Sequence, residues 1–345
     1  MRPFEYAQAR DLADATRLGS RTGQGQAGAA AQYLAGGTTL IDLMKLDVLR
    51  PDTVIDLRSL RGNGTGGVAT RSDGLHLSAF ATMANVADDP EVRRTYPLIA
   101  DSLKLAASPQ LRNMATLGGN VLQKTRCPFF RDPTWPMCNK RSPGSGCQAI
   151  GSFNRNHAVL GTDSSCIAQY PGDFGIALVA LDATIEVAGP QGVRRLPFHE
   201  LHVGPMGHPD IETSLRAAEI ITAFHVPAGP WTARSLYLKV RDRSSYEFAI
   251  SSCAVAMALE GDIVRTVRLG LGGMAYRPWR AHEAETILNG KPLTDALVRK
   301  AAAAALEGAK THGHNDYKRE LAQRVIVRAL LEAKSMTVPA AGSPP

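Results

Sequence analysis

The sequence predicts a mixed helix-and-strand protein of two or three domains with one long irregular loop. Three observations lead there. The chain has 345 residues, more than one compact core usually holds. Short alternating apolar runs are interleaved with helical patterns along most of it. Between Lys124 and Tyr170 that periodicity stops, and so long a stretch without regular structure is uncommon and usually functional.

In chain order, Gln8 to Gly19 reads as a short helix closed by glycine, and Thr22 to Ala31 as a flexible Gly/Gln/Ala stretch. Tyr33 to Lys45 reads as a strand, a glycine turn and a helix. Thr53–Leu57 and Leu75–Phe80 read as strands, and residues 82–88 and 91–106 as helices. Met114 to Leu122 gives a second glycine turn, also read as following a short apolar strand. After the irregular loop come an apolar helix from Asp173 to Leu181, a strand at Thr184–Ala188, a strand at Glu219–Pro227 and a linker from Pro227 to Pro230. Ser235–Val240, Ser251–Leu259 and Val264–Leu271 read as strands of a second sheet. Helices at 295–309 and 317–334 follow, the latter packing on that sheet, and the Pro/Ala/Ser-rich tail 336–345 reads as disordered.

Composition excludes several function classes. Hydrophobic residues make up 44% and charged residues 21%, ordinary for a globular chain. The net charge of +7 comes from scattered Lys and Arg, without the aromatic–basic interleaving of nucleic-acid readers. Such a charge suits an acidic partner or a phosphate-bearing cofactor. No apolar run approaches the roughly 20 residues of a membrane helix, so no membrane insertion is expected. The start, Met1-Arg2-Pro3-Phe4-Glu5-Tyr6, has no hydrophobic signal region. The expectation is a cytoplasmic chain, or one exported folded with a signal-bearing partner.

Two glycine pairs stand out. Glycine allows positive φ and close approach of a ligand, and successive free amides form an anion-binding nest. Ala35-Gly36-Gly37-Thr38-Thr39 has this character, with two hydroxyls in reserve, and Thr116-Leu117-Gly118-Gly119-Asn120 repeats it. Neither is the dinucleotide fingerprint G-x-G-x-x-G. Each alone reads equally well as a tight strand–helix turn.

The chain has five cysteines, and Cys127, Cys138, Cys147 and Cys166 all fall in the irregular loop. Four thiolates are what a [4Fe–4S] cube needs. The absence of C-x-x-C pairs argues against a zinc ribbon. On spacing alone an iron–sulfur cluster, a structural zinc, and free or disulfide-bonded cysteines all stay open. Cys253, within the apolar run Ala249–Leu259, reads as a small buried hydrophobe.

These motifs together resemble one family. Leu34 to Leu40, Ala115 to Asn120, Pro171-Gly172-Asp173, Ile220-Ile221, Lys239 to Arg243 and Leu271 to Arg280 are similar, in order, to the FAD-binding subunit of the xanthine dehydrogenase family of molybdenum hydroxylases. The resemblance spans about residues 4 to 334. It implies an α+β fold: a vanillyl-alcohol-oxidase-type FAD domain of two subdomains over residues 1–230, then a smaller C-terminal α+β domain of the CO dehydrogenase flavoprotein type over 231–335. It implies FAD contacts at Leu34, Ala35, Gly36, Gly37, Thr38, Thr39, Leu40 and Ile41, at Thr116, Leu117, Gly118, Gly119 and Asn120, and at Asp173. Ile221 would meet the flavin ring through its backbone, and Lys239 would lie near it. The simple family pattern has only about a dozen residues where this chain has the cysteine loop, 124–170. That departure resembles the aldehyde oxidoreductase and 4-hydroxybenzoyl-CoA reductase subunits whose insertion holds a [4Fe–4S] cluster on four cysteines, here Cys127, Cys138, Cys147 and Cys166.

The resemblance further implies a large molybdopterin-binding subunit, a small subunit with two [2Fe–2S] clusters, and an external electron acceptor. Substrate chemistry would lie on the partner, so no catalytic residue is assigned here. Xanthine or aromatic-CoA chemistry and a stand-alone flavin oxidoreductase are the rival readings; the latter lacks an evident catalytic base. His202, His208, His312 and His314 read as surface or loop histidines.

Overall fold

In the computed structural model, residues 1–20, 29–62 and 67–338 are described. Three sheets divide the chain. The first is parallel, in the order β1-β3-β2, from β1 (Glu5–Gln8), β2 (Ala31–Leu34) and β3 (Thr53–Asp56). Helices α1 (Leu12–Ser20) and α2 (Leu40–Lys45) make the connections. Parallel neighbours need such crossovers.

The second sheet is antiparallel, in the order β4-β5-β8-β6-β7. Its strands are β4 (Val68–Arg71), β5 (Gly74–Ser78), β6 (Thr184–Gly189), β7 (Gly192–Pro197) and β8 (Ile220–Pro227). Between β5 and β6 come α3 (Met83–Asp88), α4 (Pro90–Thr95), α5 (Pro97–Lys104), α6 (Pro109–Met114), α7 (Leu117–Val121), α8 (Pro128–Arg131) and α9 (Phe174–Ala180). Leu75, Leu77, Phe224 and Val226 of the sheet join Leu98, Ile99 and Phe174 of the helices in one core. Phe174 and Phe224 meet edge to face at 5.5 Å, and full burial of each such ring contributes about 1.5–3 kcal/mol.

The third sheet is antiparallel, in the order β12-β11-β10-β9, from β9 (Ser235–Val240), β10 (Ser251–Glu260), β11 (Ile263–Gly272) and β12 (Trp279–Arg280). Helices α10 (His282–Leu288), α11 (Asp295–Ala304) and α12 (Tyr317–Ser335) complete it. Ala322, Ile326, Ala329 and Leu330 of α12 are fully buried in the same core as Val255 and Met257 of β10, the packing expected of its apolar face.

Several sequence expectations need correction. The helix at 91–106 is two, α4 and α5, parted at Tyr96, which sits at φ −133°, ψ 56°. Pro97 follows, and a residue before proline is driven from helical geometry. The second glycine pair follows helix α6 rather than a strand, and its glycines lie inside α7. Strands β4 and β7 and helix α10 were not foreseen. Ala31, assigned to a flexible stretch, opens β2; Thr22 to Gly28 of that stretch and 339–345 of the tail lie outside the described residues.

Candidate functional site

The first glycine turn leaves β2 and enters α2. Gly37 takes φ +76°, and a Cβ on Gly36 would fall 2.2 Å from the Met114 carbonyl oxygen. Glycine is therefore required twice: for conformation at Gly37, and at Gly36 because the turn lies against the α6–α7 junction. Among the described residues the amides of Gly36, Gly37, Thr38 and Thr39 donate no backbone hydrogen bond. The Thr39 hydroxyl does not cap α2 either. Four adjacent free amides and a spare hydroxyl form an anion-binding nest.

The second turn is more committed to the fold. Thr116 Oγ1 accepts from the Gly119 amide at 3.2 Å, capping α7. The Gly118 amide donates to the Ala79 carbonyl at 2.8 Å. Asn120 Nδ2 donates to Met83 Sδ at 3.3 Å, while its buried Oδ1 has no partner.

The two turns face one groove of about 210 Å³. Ala35, Gly36, Gly37, Thr38, Thr39, Leu40, Thr116, Gly118, Gly119 and Ile221 line it. It joins a wider cavity of about 590 Å³ through shared walls at Gln32, Tyr33, Leu122, Lys124 and Glu219. Together the two volumes fall within the range of cofactor pockets. Leu34, Ile41, Leu117, Asn120, Asp173 and Lys239 do not line either cavity. Leu117 is fully buried in the core.

Asp173 and Lys239 instead form a buried ion pair, Nζ to Oδ2 at 2.7 Å, both side chains under 5% exposed. Tyr237 donates to Asp173 Oδ1 at 2.8 Å, and Lys239 also donates to the Leu105 carbonyl at 3.0 Å. Burial pushes the Asp173 carboxyl up, against the pull of Lys239. The pair locks α9 and β9 to the end of α5.

The irregular loop contains only the short helix α8 in its first part. Its four cysteines converge. Cys138 pairs with Cys147 across a two-residue antiparallel bridge, aided by Asn139 N–H to the Gly146 carbonyl at 2.8 Å and Gln148 N–H to the Met137 carbonyl at 2.9 Å. Asp163 Oδ1 accepts from the amides of Ser165 and Cys166. Cys127, Cys138, Cys147 and Cys166 all line one small space of about 10 Å³, walled by Phe129, Met137 and Ala149. All four are free thiols. Burial pushes Cys127 up to about 12. A hydrogen bond with Cys166 pulls Cys147 down to about 6 and pushes Cys166 up.

The sequence marks Lys140 only as one of several cations near the cysteines, and it marks neither His157 nor Lys318. His157 Nε2 lies 3.2 Å from Cys127 Sγ. Lys140 is buried and donates to Glu212 at 2.8 Å and Tyr276 at 2.6 Å. Burial alone would lower its pKa, but Glu212 overrides that and holds it charged. Lys318 is fully buried and donates to the carbonyls of His157 and Gly273 and to Gln169 Oε1, at 2.6 to 3.0 Å. Burial draws it down to about 7. It ties the loop to the third sheet. None of these contacts has a local sequence signal. His202, expected at the surface, is buried between Tyr170 and Phe198, with ring centroids at 4.8 and 5.7 Å, and burial lowers it to about 3. Cys253 is fully buried, as expected.

The residues fit the groups that the resemblance implies. The free amides and glycine cradle suit a pyrophosphate, and four free thiols on one loop are the donor set of an iron–sulfur cube.

Among the described residues no helix is long and apolar enough to cross a membrane. Residues 2–229 match the family of the FAD binding domain in molybdopterin dehydrogenase, and residues 236–333 match the CO dehydrogenase flavoprotein C-terminal domain. The chain is 37% identical to the aldehyde oxidoreductase FAD-binding subunit PaoB of Escherichia coli K12, over 97% of this chain and 99% of that one. It is 27% identical to the carbon monoxide dehydrogenase medium chain of Hydrogenophaga pseudoflava, over 95% and 96%. The solved structure of carbon monoxide dehydrogenase from Hydrogenophaga pseudoflava, lacking the Mo-pyranopterin moiety, superposes with a TM-score of 0.74 at 26% identity, covering 97% of this chain and 99% of that one. The nest, the paired grooves and these likenesses lead to one conclusion: the chain belongs to the FAD-binding medium subunits of the molybdenum hydroxylase family.

Proposed function

We propose that this chain is the FAD- and [4Fe–4S]-binding electron-transfer subunit of a heterotrimeric aldehyde oxidoreductase. Its partners would be a large molybdopterin-binding subunit that oxidises the aldehyde and a small subunit with two [2Fe–2S] clusters, and electrons would leave to an external acceptor. The carrying observation is the convergence of four free cysteines on one space that shares walls with the wider cavity. The 37% identity to an aldehyde oxidoreductase FAD-binding subunit supports the substrate class.

The chain's own residues have defined parts in this reading. The amides of Gly36 to Thr39 would bind the pyrophosphate, and Ile221 would back the flavin ring. Cys127, Cys138, Cys147 and Cys166 would ligate iron. FAD takes electrons singly and passes on one or two, which suits a junction between one-electron carriers and an acceptor. Lys140 and Ala168 line both the wide cavity and the cysteine space, so one layer of side chains separates the two. Lys140, Arg126 and Arg131 would offset the negative charge of a thiolate-bound cluster.

Anaerobically purified protein should show a flavin spectrum over a broad visible absorbance that dithionite bleaches. Replacing all four cysteines by serine should remove the iron and the broad absorbance and leave the flavin. Unchanged iron in that variant would overturn the cluster assignment.

A further inference from the structure

We propose that Asp73, His76 and His225 form a binding site for one divalent transition-metal ion of the zinc class. The site is separate from the cofactor groove and the cysteine loop. It would clasp the β4–β5 turn to the end of β8.

The sheet builds the site. β5 and β8 are antiparallel neighbours, and their register places His76 opposite His225. Directly opposed side chains share one face, and the two rings stand 4.6 Å apart, tilted by 46°. The turn between β4 and β5 carries Asp73 over the same face. Its Oδ1 lies 2.9 Å from His76 Nε2, and its Oδ2 lies 3.5 Å from His225 Nε2. One ligand atom from each residue falls within 4.8 Å of the other two. Nitrogen and oxygen ligands of a tetrahedral ion at about 2.0–2.2 Å lie roughly 3.3 Å apart. The two Asp73 oxygen-to-imidazole separations, 2.9 and 3.5 Å, bracket that value.

Two further features point to a cation. His225 Nε2 is shielded from solvent yet makes no hydrogen bond, an arrangement that costs about 1–3 kcal/mol unless a partner is supplied. Gly74, at φ +149°, lets the turn press onto β8; a Cβ there would fall 2.2 Å from the Val226 carbonyl and 3.0 Å from His225 Nε2. The close approach is what carries Asp73 to the ring.

The donor set selects the ion. Two imidazoles and one carboxylate suit zinc, nickel, cobalt or copper, whereas calcium and magnesium want oxygen ligands. With the two histidine side chains about a third exposed, solvent can reach the ion and fill a fourth position. The Ala228 amide donates to the Asp73 carbonyl at 3.1 Å. The clasp therefore holds the point where β8 passes into the linker to the third sheet. His225 lies four residues along β8 from Ile221, about 13 Å by strand rise, and none of the three residues lines either cavity.

The test is equilibrium dialysis of the full-length protein, with flavin and iron retained, against zinc chloride after chelator treatment. Zinc, iron and flavin are all counted. One zinc per chain is expected, and calcium should not compete. The His76→Ala/His225→Ala variant should bind it at least tenfold more weakly at unchanged iron and flavin content. Asp73→Asn, in an exposed turn, should fold normally and weaken zinc binding in the same direction. Equal zinc uptake by wild type and Asp73→Asn, or by wild type and the double-histidine variant, would show only a hydrogen-bonded Asp–His cluster and overturn the proposal. Iron and flavin counts separate that failure from failure of the cofactor assignments.

Discussion

Arg131 forks onto Asp42, with Nη1 to Oδ2 at 2.8 Å and Nη2 to Oδ1 at 3.1 Å. Arg126 adds a third contact to the same carboxylate at 3.2 Å. Asp42 lies on α2, directly behind the first glycine turn, and the two arginines flank Cys127. The helix that ends the nest and the loop that carries the thiols are thus tied through one side chain. Bidentate pairs fix geometry as well as adding energy.

Asp42→Asn should therefore loosen both sites together. Asp42 is about a third exposed, so solvent screening limits the cost to roughly 1 kcal/mol. That corresponds to about a fivefold weaker retention of FAD, accompanied by faster loss of iron in air. Fluorescence of released flavin and iron analysis on the same samples measure both. Loss of one without the other would show that the fork does not couple them.

Gly36→Ala tests the first turn alone. The added Cβ would meet backbone at 2.2 Å, which cannot move aside as a flexible side chain can. The turn must shift, and flavin affinity should fall by more than about tenfold (~1.4 kcal/mol) while iron stays. Gly144→Ala offers a contrast: its φ is +85° with open space around it. It carries a strain of about 1–2 kcal/mol on the cysteine loop and should leave flavin untouched. The flavin-to-protein absorbance ratio reads both variants.

The glycine turns, the cysteine loop and the strands β5, β8, β10 and β11 were legible because alternation or composition marks them locally. β4 and β7 were not: they are sheet-edge strands carrying Arg71, Arg194 and Arg195, with a single buried residue, Leu196, between them, so no apolar alternation advertises them. The break at Tyr96 was legible in principle from Pro97, but the apolar spacing on either side outweighed it. Asp173 and Lys239 were picked out by position in a motif, and the fold engages them with each other. His157, Lys140 and Lys318 acquire their surroundings from segments far away in sequence, which no local pattern records.

The Asp173–Lys239 pair separates a fold role from a cofactor role. Lys239→Met leaves the buried Asp173 carboxylate with the Tyr237 hydrogen bond and the Arg241 charge but without its ion-pair partner, and breaking a buried pair this way costs about 3–5 kcal/mol. The loss should appear equally in flavin-free and flavin-loaded protein. Thermal unfolding of both forms is the measurement. If only the loaded form were destabilised, Lys239 would be acting on the flavin directly, as its motif implies.

Glu212 supplies a pH signature. Burial would raise its carboxyl, but Lys124 and Lys140 together outweigh that and hold it down at about 2, below an ordinary value of 4.5. A depressed folded-state pKa stabilises the protein above the unfolded value, and that contribution fades as pH falls from about 4.5 toward 2. The span corresponds to roughly 3 kcal/mol at full strength. Glu212→Gln should flatten stability across this acid window and lower it at neutral pH, because both lysines lose their counter-charge. Urea unfolding at a series of pH values from 2 to 7 measures the slope. A variant with the wild-type slope would place the acid sensitivity elsewhere.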